Sequence, residues 1–178
     1  PYAIGRRWTG YAGVFDPTRE PVYKFIDRFI GEMSTLFPDA YWHIGGDEVN
    51  ATQWTQSARI QKFMAARHLA DHAALQAYFN QRLSRILTKH HKHMIGWDAI
   101  LHPDLPRTTV VQSWRGTQYL GQAVSQGFSG ILSAPYFLDA MKSSEQMYLT
   151  DPLAGDSTLT PDQVARVLGG EACMWSEL

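Results

Sequence analysis

Apolar side chains recur at spacings of three and four residues along several stretches of the chain, which is the period of an amphipathic helix. The clearest stretch covers residues 20–37, where Val22, Phe25 and Phe29 fall on one face and Pro38 follows the last turn. The same period predicts further helices over residues 57–68, 71–90, 118–126 and 161–167. Thr160 stands where its side chain can cap the last of these helices.

Short apolar runs lie between these helices and have the pattern of buried strands. They cover residues 40–44, 93–97, 109–114, 129–134 and 169–174, and an extended segment over 1–16 opens the chain. Strands that alternate with helices predict an α/β fold with a parallel sheet, either an open doubly wound sheet or a (β/α)₈ barrel. A whole barrel needs about 250 residues. With 178 residues, one small open sheet or one part of a barrel is expected, and the whole of 1–178 forms one domain or one piece of a domain.

Two adjacent acids, Asp47 and Glu48, follow the first predicted strand in the segment His-Ile-Gly-Gly-Asp-Glu-Val over 43–49. Successive side chains of a strand point to opposite faces, so both acids serve one site only if the backbone leaves the strand before them. Gly45 and Gly46 permit this departure. Adjacent carboxyl groups do not ionise independently, so one can keep a proton to donate while the other stays anionic. The segment predicts acid–base chemistry, with a solvated acidic turn as the alternative.

Aromatic and charged side chains also follow each of the other predicted strands. They are Trp97 and Asp98; Trp114 and Arg115; Tyr136, Phe137 and Asp139; and Trp175 and Glu177. Functional residues gather at the carboxyl edge of parallel strands, so these side chains are expected around one pocket. The chain has six Trp, eight Tyr and eight Phe. Flat apolar rings suit either a core or the faces of sugar rings, and their position at strand ends favours a carbohydrate site.

Composition excludes several other classes of function. The net charge is −1 and no basic run is longer than Arg6-Arg7, which argues against a nucleic-acid partner. No apolar stretch is long enough to span a bilayer. The single cysteine, Cys173, excludes internal disulfides, and no His/Cys ligand set or phosphate-binding loop indicates a metal or another cofactor. We interpret His90, His91 and His93 as exposed helix-end and loop residues.

At this point the motifs resemble a known family, the exo-acting β-N-acetylhexosaminidases of glycoside hydrolase family 20. The 43–49 segment resembles the family's catalytic segment, with Trp54 and residues 60–64 behind it. Four further similar motifs follow in the family's order, at residues 96–98, at 111–115, at 132–135 together with 138–139, and at 169–177. Five collinear motifs span nearly the whole chain, so chance is a poor explanation.

The resemblance implies a (β/α)₈ barrel of which this chain supplies about strands four to eight. It also implies hydrolysis of terminal N-acetyl-β-D-hexosamine with retention, in which the substrate's acetamide is the nucleophile. In that mechanism Glu48 is the general acid and Asp47 orients the acetamide. Further positions match residues that contact the sugar, and we expect them to bind substrate: His43, Trp97, Trp114, Tyr136, Phe137, Asp139, Trp175 and Glu177.

The chain departs from the family pattern in three ways. Phe137 stands where the family usually has a tyrosine that donates a hydrogen bond to the acetamide oxygen. Either Tyr136 reaches in through a shifted backbone or activity is weakened. Ala99 replaces a glutamate found in many members, and the early strands with their sugar-binding arginine are absent from the sequence.

Two other interpretations remain open. Gly-Gly-Asp-Glu also occurs in diguanylate cyclases, where the acids hold Mg²⁺, but that fold needs an antiparallel strand after the motif and a basic cluster for the triphosphate. The second is a sugar-binding module on the same fold with an impaired catalytic site, for which Phe137 is the argument.

Overall fold

The protein is described by a computed structural model that covers residues 13–153 and 158–175. Within these residues one sheet of five strands lies at the centre, with the order β1-β2-β3-β4-β5 and every neighbouring pair parallel. The strands are β1 (Tyr41–His43), β2 (His93–Trp97), β3 (Val110–Ser113), β4 (Ser129–Leu132) and β5 (Val167–Gly170). Sequential order with parallel pairing is the arrangement of a (β/α)₈ barrel wall. The predicted α/β class and parallel sheet are confirmed.

Helices connect the strands. They are α1 (Glu20–Leu36), α2 (Thr52–Gln56), α3 (Ala58–Ala66), α4 (His72–Lys89), α5 (Thr117–Ser125), α6 (Ser144–Leu149) and α7 (Pro161–Val164), and a 3₁₀ helix covers Asp98–Ile100. Local capping explains several starts: the side chain of Asp71 accepts from the amide of Ala74 at 2.8 Å, and Thr160 and Gln163 form a reciprocal capping box. No helix in the described ranges is long and apolar enough to cross a membrane.

The sequence pattern was wrong at two kinds of place. Helices α2 and α6 have five and six residues, too few for the helical period to show, and neither was predicted. The sequence pattern predicts the last strand at 169–174, but the strand lies at Val167–Gly170, and α7 ends at Val164 rather than at 167. Val167 already pairs with Gly130, so the ladder starts directly after the helix, and a register shift follows at Gly130/Ile131. The opening residues 1–12 of the predicted extended segment lie outside the described residues.

The face of the sheet that is covered by helices carries the apolar core. Met94, Val111 and Leu132 alternate with residues of the other face and are almost fully buried. The first two belong to a cluster with Leu83 and Leu87 of α4. This packing fixes the strands, and therefore fixes where their carboxyl ends emerge.

Polar residues dominate the opposite face near the carboxyl ends of the strands. Parallel partners point to the same side, and the register pairs Trp97 with Gln112. His43 pairs with Ile95, two residues before Trp97, so its side chain lies on the same side as that of Trp97. The side chain of Ser133, just beyond β4, also lies on this side. Gln112 and Ser133 are nonetheless buried. This is the side that faces the interior of a barrel.

The histidines that end α4 differ in part from their interpretation as exposed residues. His91 and His93 are exposed, but the ring of His90 is half-buried and lies 2.7 Å from the carboxylate of Asp27 on α1. The same carboxylate accepts from Lys89 at 2.7 Å. These three side chains therefore join two helices on the outside of the sheet.

Candidate active site

The turn after β1 has a conformation that depends on its two glycines. Gly45 and Gly46 have φ of +70° and +94°, and Glu48 itself has φ of +45°. A Cβ on Gly46 would run into Ile100, so the turn packs closely on the 3₁₀ helix. The carbonyl of Gly45 accepts from the amide of Trp97 at 3.0 Å. The backbone leaves the strand where the sequence predicted.

A helix also supports this turn. The side-chain amide of Gln76, on α4, donates to the carbonyl of Gly46 at 2.7 Å. Asp47 and Glu48, which follow this supported turn, are exposed. Among the described residues neither carboxylate is held by a hydrogen bond or an ion pair. The pair is therefore presented on a fixed backbone with both carboxylates free to meet a ligand.

Aromatic rings form a continuous group next to the acid pair. The His43 and Trp97 rings meet edge to face at 4.8 Å between centroids, and Trp97 lies 6.0 Å from Trp175. Trp97 is 7% exposed, whereas Trp175 is 49% exposed. The amide of Trp175 donates to Asp139 at 3.2 Å. The structure thus brings together four of the predicted site residues: His43, Trp97, Asp139 and Trp175.

Asp98 has a different place from the one its position at a strand end suggested. Its side chain is 2% exposed and accepts from four donors rather than facing a pocket. These are the hydroxyl of Ser113 (3.2 Å), the amides of Trp114 (3.1 Å) and Arg115 (3.2 Å), and Nε of Arg115 (2.6 Å). Asp98 therefore joins the ends of β2 and β3 and does not line the cleft. We call this carboxylate and its four donors the Asp98 bracket.

Trp114 takes its position from this bracket. It is half-buried directly after β3, and its indole Nε1 is buried without a hydrogen-bond partner among the described residues. Arg115 in turn stacks on Tyr119 of α5 at 3.9 Å. The structure fixes the backbone of Trp114 firmly, but within the described part of the chain no ring contact joins Trp114 to Trp97 or Trp175.

Tyr136 and Phe137 lie on the loop after β4. The Tyr136 hydroxyl donates to the carbonyl of Thr150 at 2.7 Å, and its ring is so close to Gly170 that a Cβ there would lie 2.6 Å from a ring carbon. Burial raises the pKa of Tyr136. The hydroxyl's single proton is thus already used by backbone, and the structure does not turn it toward the acid pair. Phe137 pairs with Cys173 in an isolated parallel bridge.

The remaining predicted site residue, Glu177, lies outside the described residues.

Sequence reasoning missed Gln76, Gln112 and the bracket role of Asp98. A neutral glutamine carries little signal in a helix, but Gln112 interrupts the apolar run of a strand that is buried over all its four residues. That interruption is the signal that could have found it.

Comparisons with known proteins agree with this geometry. The model of the glycosyl hydrolase family 20 catalytic domain matches residues 4–178. The chain is 36% identical to the β-hexosaminidase α subunit of Rattus norvegicus, over 99% of this chain and 35% of that protein. It is 33% identical to a β-hexosaminidase of Porphyromonas gingivalis, over 96% of this chain and 24% of that protein. The chain thus spans about a third or less of these relatives.

Solved structures show the same fold. A chitobiase of Flavobacterium johnsoniae superposes with a TM-score of 0.93 at 35% identity, over 99% of this chain and 29% of that one. An exo-β-N-acetylglucosaminidase of Vibrio harveyi, solved with N-acetylglucosamine, gives a TM-score of 0.81 at 28% identity, over 92% and 28%. These likenesses and the parallel sheet confirm the predicted fold class, part of a (β/α)₈ barrel. With its acid pair on a double-glycine turn and a family match over residues 4–178, the chain belongs to glycosyl hydrolase family 20.

Proposed function

We propose that the full-length protein removes terminal non-reducing N-acetyl-β-D-hexosamine from glycans, and that residues 1–178 are part of its catalytic barrel. The observation that carries this proposal is the turn of Gly45 and Gly46, which presents exposed Asp47 and Glu48 and is hydrogen-bonded to the backbone of Trp97. Relatives named as β-hexosaminidases and a neighbour solved with N-acetylglucosamine support the substrate class.

The proposed reaction has two steps. In the first, Glu48 gives its proton to the glycosidic oxygen while the substrate's acetamide oxygen bonds to the anomeric carbon, and the bond to the leaving group breaks. Asp47 orients the acetamide and stabilises the positive oxazolinium ring. In the second step Glu48 removes a proton from water, the water oxygen bonds to the anomeric carbon, and the ring opens. Two displacements at one carbon give retention.

The other site residues bind the sugar in this proposal. Trp97, Trp114 and Trp175 provide apolar walls for the ring and the acetamide methyl group. Asp139 and Glu177 accept hydrogen bonds from sugar hydroxyls. His43 meets the Trp97 ring edge to face and supports it.

The test is turnover of aryl N-acetyl-β-D-glucosaminide and -galactosaminide by the full-length protein, with the first-formed anomer identified by proton NMR. The proposal expects the β-anomer and no cleavage of an aryl β-glucoside, which lacks the acetamide. Asp47→Asn should lower the rate by about a hundredfold or more if it stabilises the oxazolinium. An α-anomer, or equal cleavage of the glucoside, would contradict the substrate-assisted mechanism.

A sugar-binding module with an impaired catalytic site is the second candidate. It is favoured by one observation: Phe137 offers no hydroxyl and the hydroxyl of Tyr136 is engaged by Thr150. Calorimetric binding of N-acetylglucosamine by a protein that does not turn over any aryl substrate would support this candidate over the hydrolase.

A further inference from the structure

Three polar side chains, those of His43, Gln112 and Ser133, lie on the face of the sheet that carries the acid pair, and they form a polar chain across it. Gln112 of β3 is 2% exposed and its amide nitrogen donates to the hydroxyl of Ser133 at 2.7 Å. Gln112 lies on the same face of the sheet as His43 at the end of β1, and it acts to raise the pKa of that ring. A buried side-chain amide costs free energy unless its donors and acceptor are hydrogen-bonded, so the fold must supply partners for Gln112.

The bonding pattern determines the tautomer of His43. Nδ1 of His43 accepts from the amide of Gly45 at 3.0 Å, so Nδ1 carries no proton. The proton of the neutral ring is then on Nε2. Because the Gln112 nitrogen already donates to Ser133, its carbonyl oxygen is free to accept from His43. Every member of the chain thus has a consistent donor or acceptor role.

Two carboxylates face the same histidine from other elements. Asp47 follows β1 and Glu171 follows β5, while Trp97 of β2 covers the ring edge-on. Water displaced by the surrounding protein lowers the pKa of His43, and the two carboxylates act in the opposite direction. The lowered pKa agrees with a ring that stays neutral and keeps Nδ1 as an acceptor.

We propose that Gln112 is a positioning residue, whose carbonyl oxygen accepts from Nε2 of neutral His43 and so orients this ring. Nδ1 of His43 then holds the amide of Gly45, and the turn points Asp47 and Glu48 into the cleft. The inference rests on the proposed function, because its kinetic readout needs turnover. Gly45 is the first residue with a left-handed backbone in the turn, so a change in its amide direction moves both acids together.

Two variants of Gln112 test this inference in the full-length protein. Gln112→Leu removes the acceptor for His43, and kcat should fall by about tenfold to a hundredfold with KM little changed, because misplaced acids weaken the transition state rather than sugar binding. Gln112→Glu keeps the shape and the acceptor but adds a negative charge. The charge raises the pKa of His43, and a protonated Nδ1 cannot accept from Gly45. The activity of this variant should therefore be lost at low pH and recover at high pH, with its acid limb displaced upward from that of the wild type.

The matched control is His102, in the loop after the 3₁₀ helix, whose Nδ1 accepts from the amide of Asp104, two residues on, at 3.2 Å. His102→Leu removes the same kind of bond and should leave kcat and the pH profile unchanged. Thermal unfolding of all three variants distinguishes lost activity from lost folding.

Nitrogen-15 NMR of the histidine rings gives a readout independent of activity. The wild type should show His43 as the Nε2–H tautomer near neutral pH, and Gln112→Glu should show it protonated to higher pH. An Nδ1–H tautomer in the wild type would overturn the inference, even if the enzyme is active. Unchanged kcat and pH profile in both Gln112 variants would also overturn it. A wild type with no turnover but the expected tautomer would contradict the proposed function alone.

Discussion

The two sides of the candidate site are built in different ways. On the side of β1, β2 and β3, internal polar contacts hold each element: buried Asp98 binds four donors, and half-buried Gln76 binds the glycine turn. On the side of β4 and β5, the site residues lie on loops, where Asp139 and Trp175 are exposed and meet through one backbone hydrogen bond. The side that carries the acid pair is thus fixed before any ligand binds. The side that is proposed to contact the sugar hydroxyls has fewer internal hydrogen bonds than the other side, so it loses fewer of them when it adjusts to a ligand.

The largest expected effect is on the fixed side, at Asp98. Asp98→Ala removes the acceptor for four hydrogen bonds and leaves Arg115 without its carboxylate partner, so the free energy of unfolding should fall by about 3 kcal/mol or more. Urea denaturation measures this loss. Asp104→Ala, in an exposed loop, is the control and should change stability by less than about 0.5 kcal/mol. A small effect at Asp98 would remove the difference between the two sides.

The two glycines of the turn should differ from each other. Gly46→Ala places a Cβ against Ile100 at a φ of +94°, and should cost about 2 to 4 kcal/mol through strain and overpacking. At Gly45, φ is +70° and the nearest atom to a new Cβ is an Asp47 oxygen at 3.7 Å. Gly45→Ala should therefore cost only about 1 kcal/mol. Equal losses in urea denaturation would show that the packing on Ile100 does not matter.

On the loop side, Tyr136 and Phe137 should separate stability from rate. Tyr136→Phe removes the bond to Thr150 and should cost about 1 kcal/mol of stability with little change in kcat. Phe137→Tyr introduces a hydroxyl where the family usually has one, and should raise kcat by up to about tenfold to a hundredfold if that hydroxyl meets the acetamide oxygen. A fall in kcat for Tyr136→Phe would instead mean that this hydroxyl turns into the site with substrate. If neither variant changes the rate, the alignment of this segment is wrong.

The smallest effect on stability should come from Asp139. Asp139 is exposed, and among the described residues its carboxylate accepts from the amide of Trp175, so Asp139→Ala should change the free energy of unfolding by less than about 0.5 kcal/mol. In the proposed function it binds a sugar hydroxyl, and its loss should raise KM by about tenfold. Steady-state kinetics and urea denaturation together check the pair of results. A large loss of stability would place Asp139 with the fixed side.

The sequence predicted the features that depend on local pattern. Long helices such as α1 and α4 show their period clearly, and the break at Gly45 and Gly46 follows from the freedom of glycine to take a positive φ. The helices α2 and α6 are missed because five or six residues carry too little period. The start of β5 is missed because the pattern extends the preceding helix to Val167.

Within the site, residue type alone did not show which acids face the cleft. Asp98 and Asp139 both follow strands, yet Asp98 is bonded inward to Arg115 while Asp139 is exposed. The difference depends on contacts between segments that are distant in sequence. The hydroxyl of Tyr136 is a similar case, since its partner Thr150 lies at the end of a helix that the sequence did not predict.

The role of Glu48 is the central claim, and the leaving-group dependence of Glu48→Gln tests it most directly. Only a poor leaving group needs a proton in the transition state, so cleavage of an N-acetylglucosamine disaccharide should fall by about a thousandfold or more. Cleavage of a dinitrophenyl N-acetyl-β-glucosaminide, whose leaving group is good, should fall by less than about tenfold in its first step. Glu145→Gln, at an exposed position at the start of α6, is the control and should leave both rates unchanged. Equal losses for the two substrates would contradict the assignment of Glu48 as the general acid.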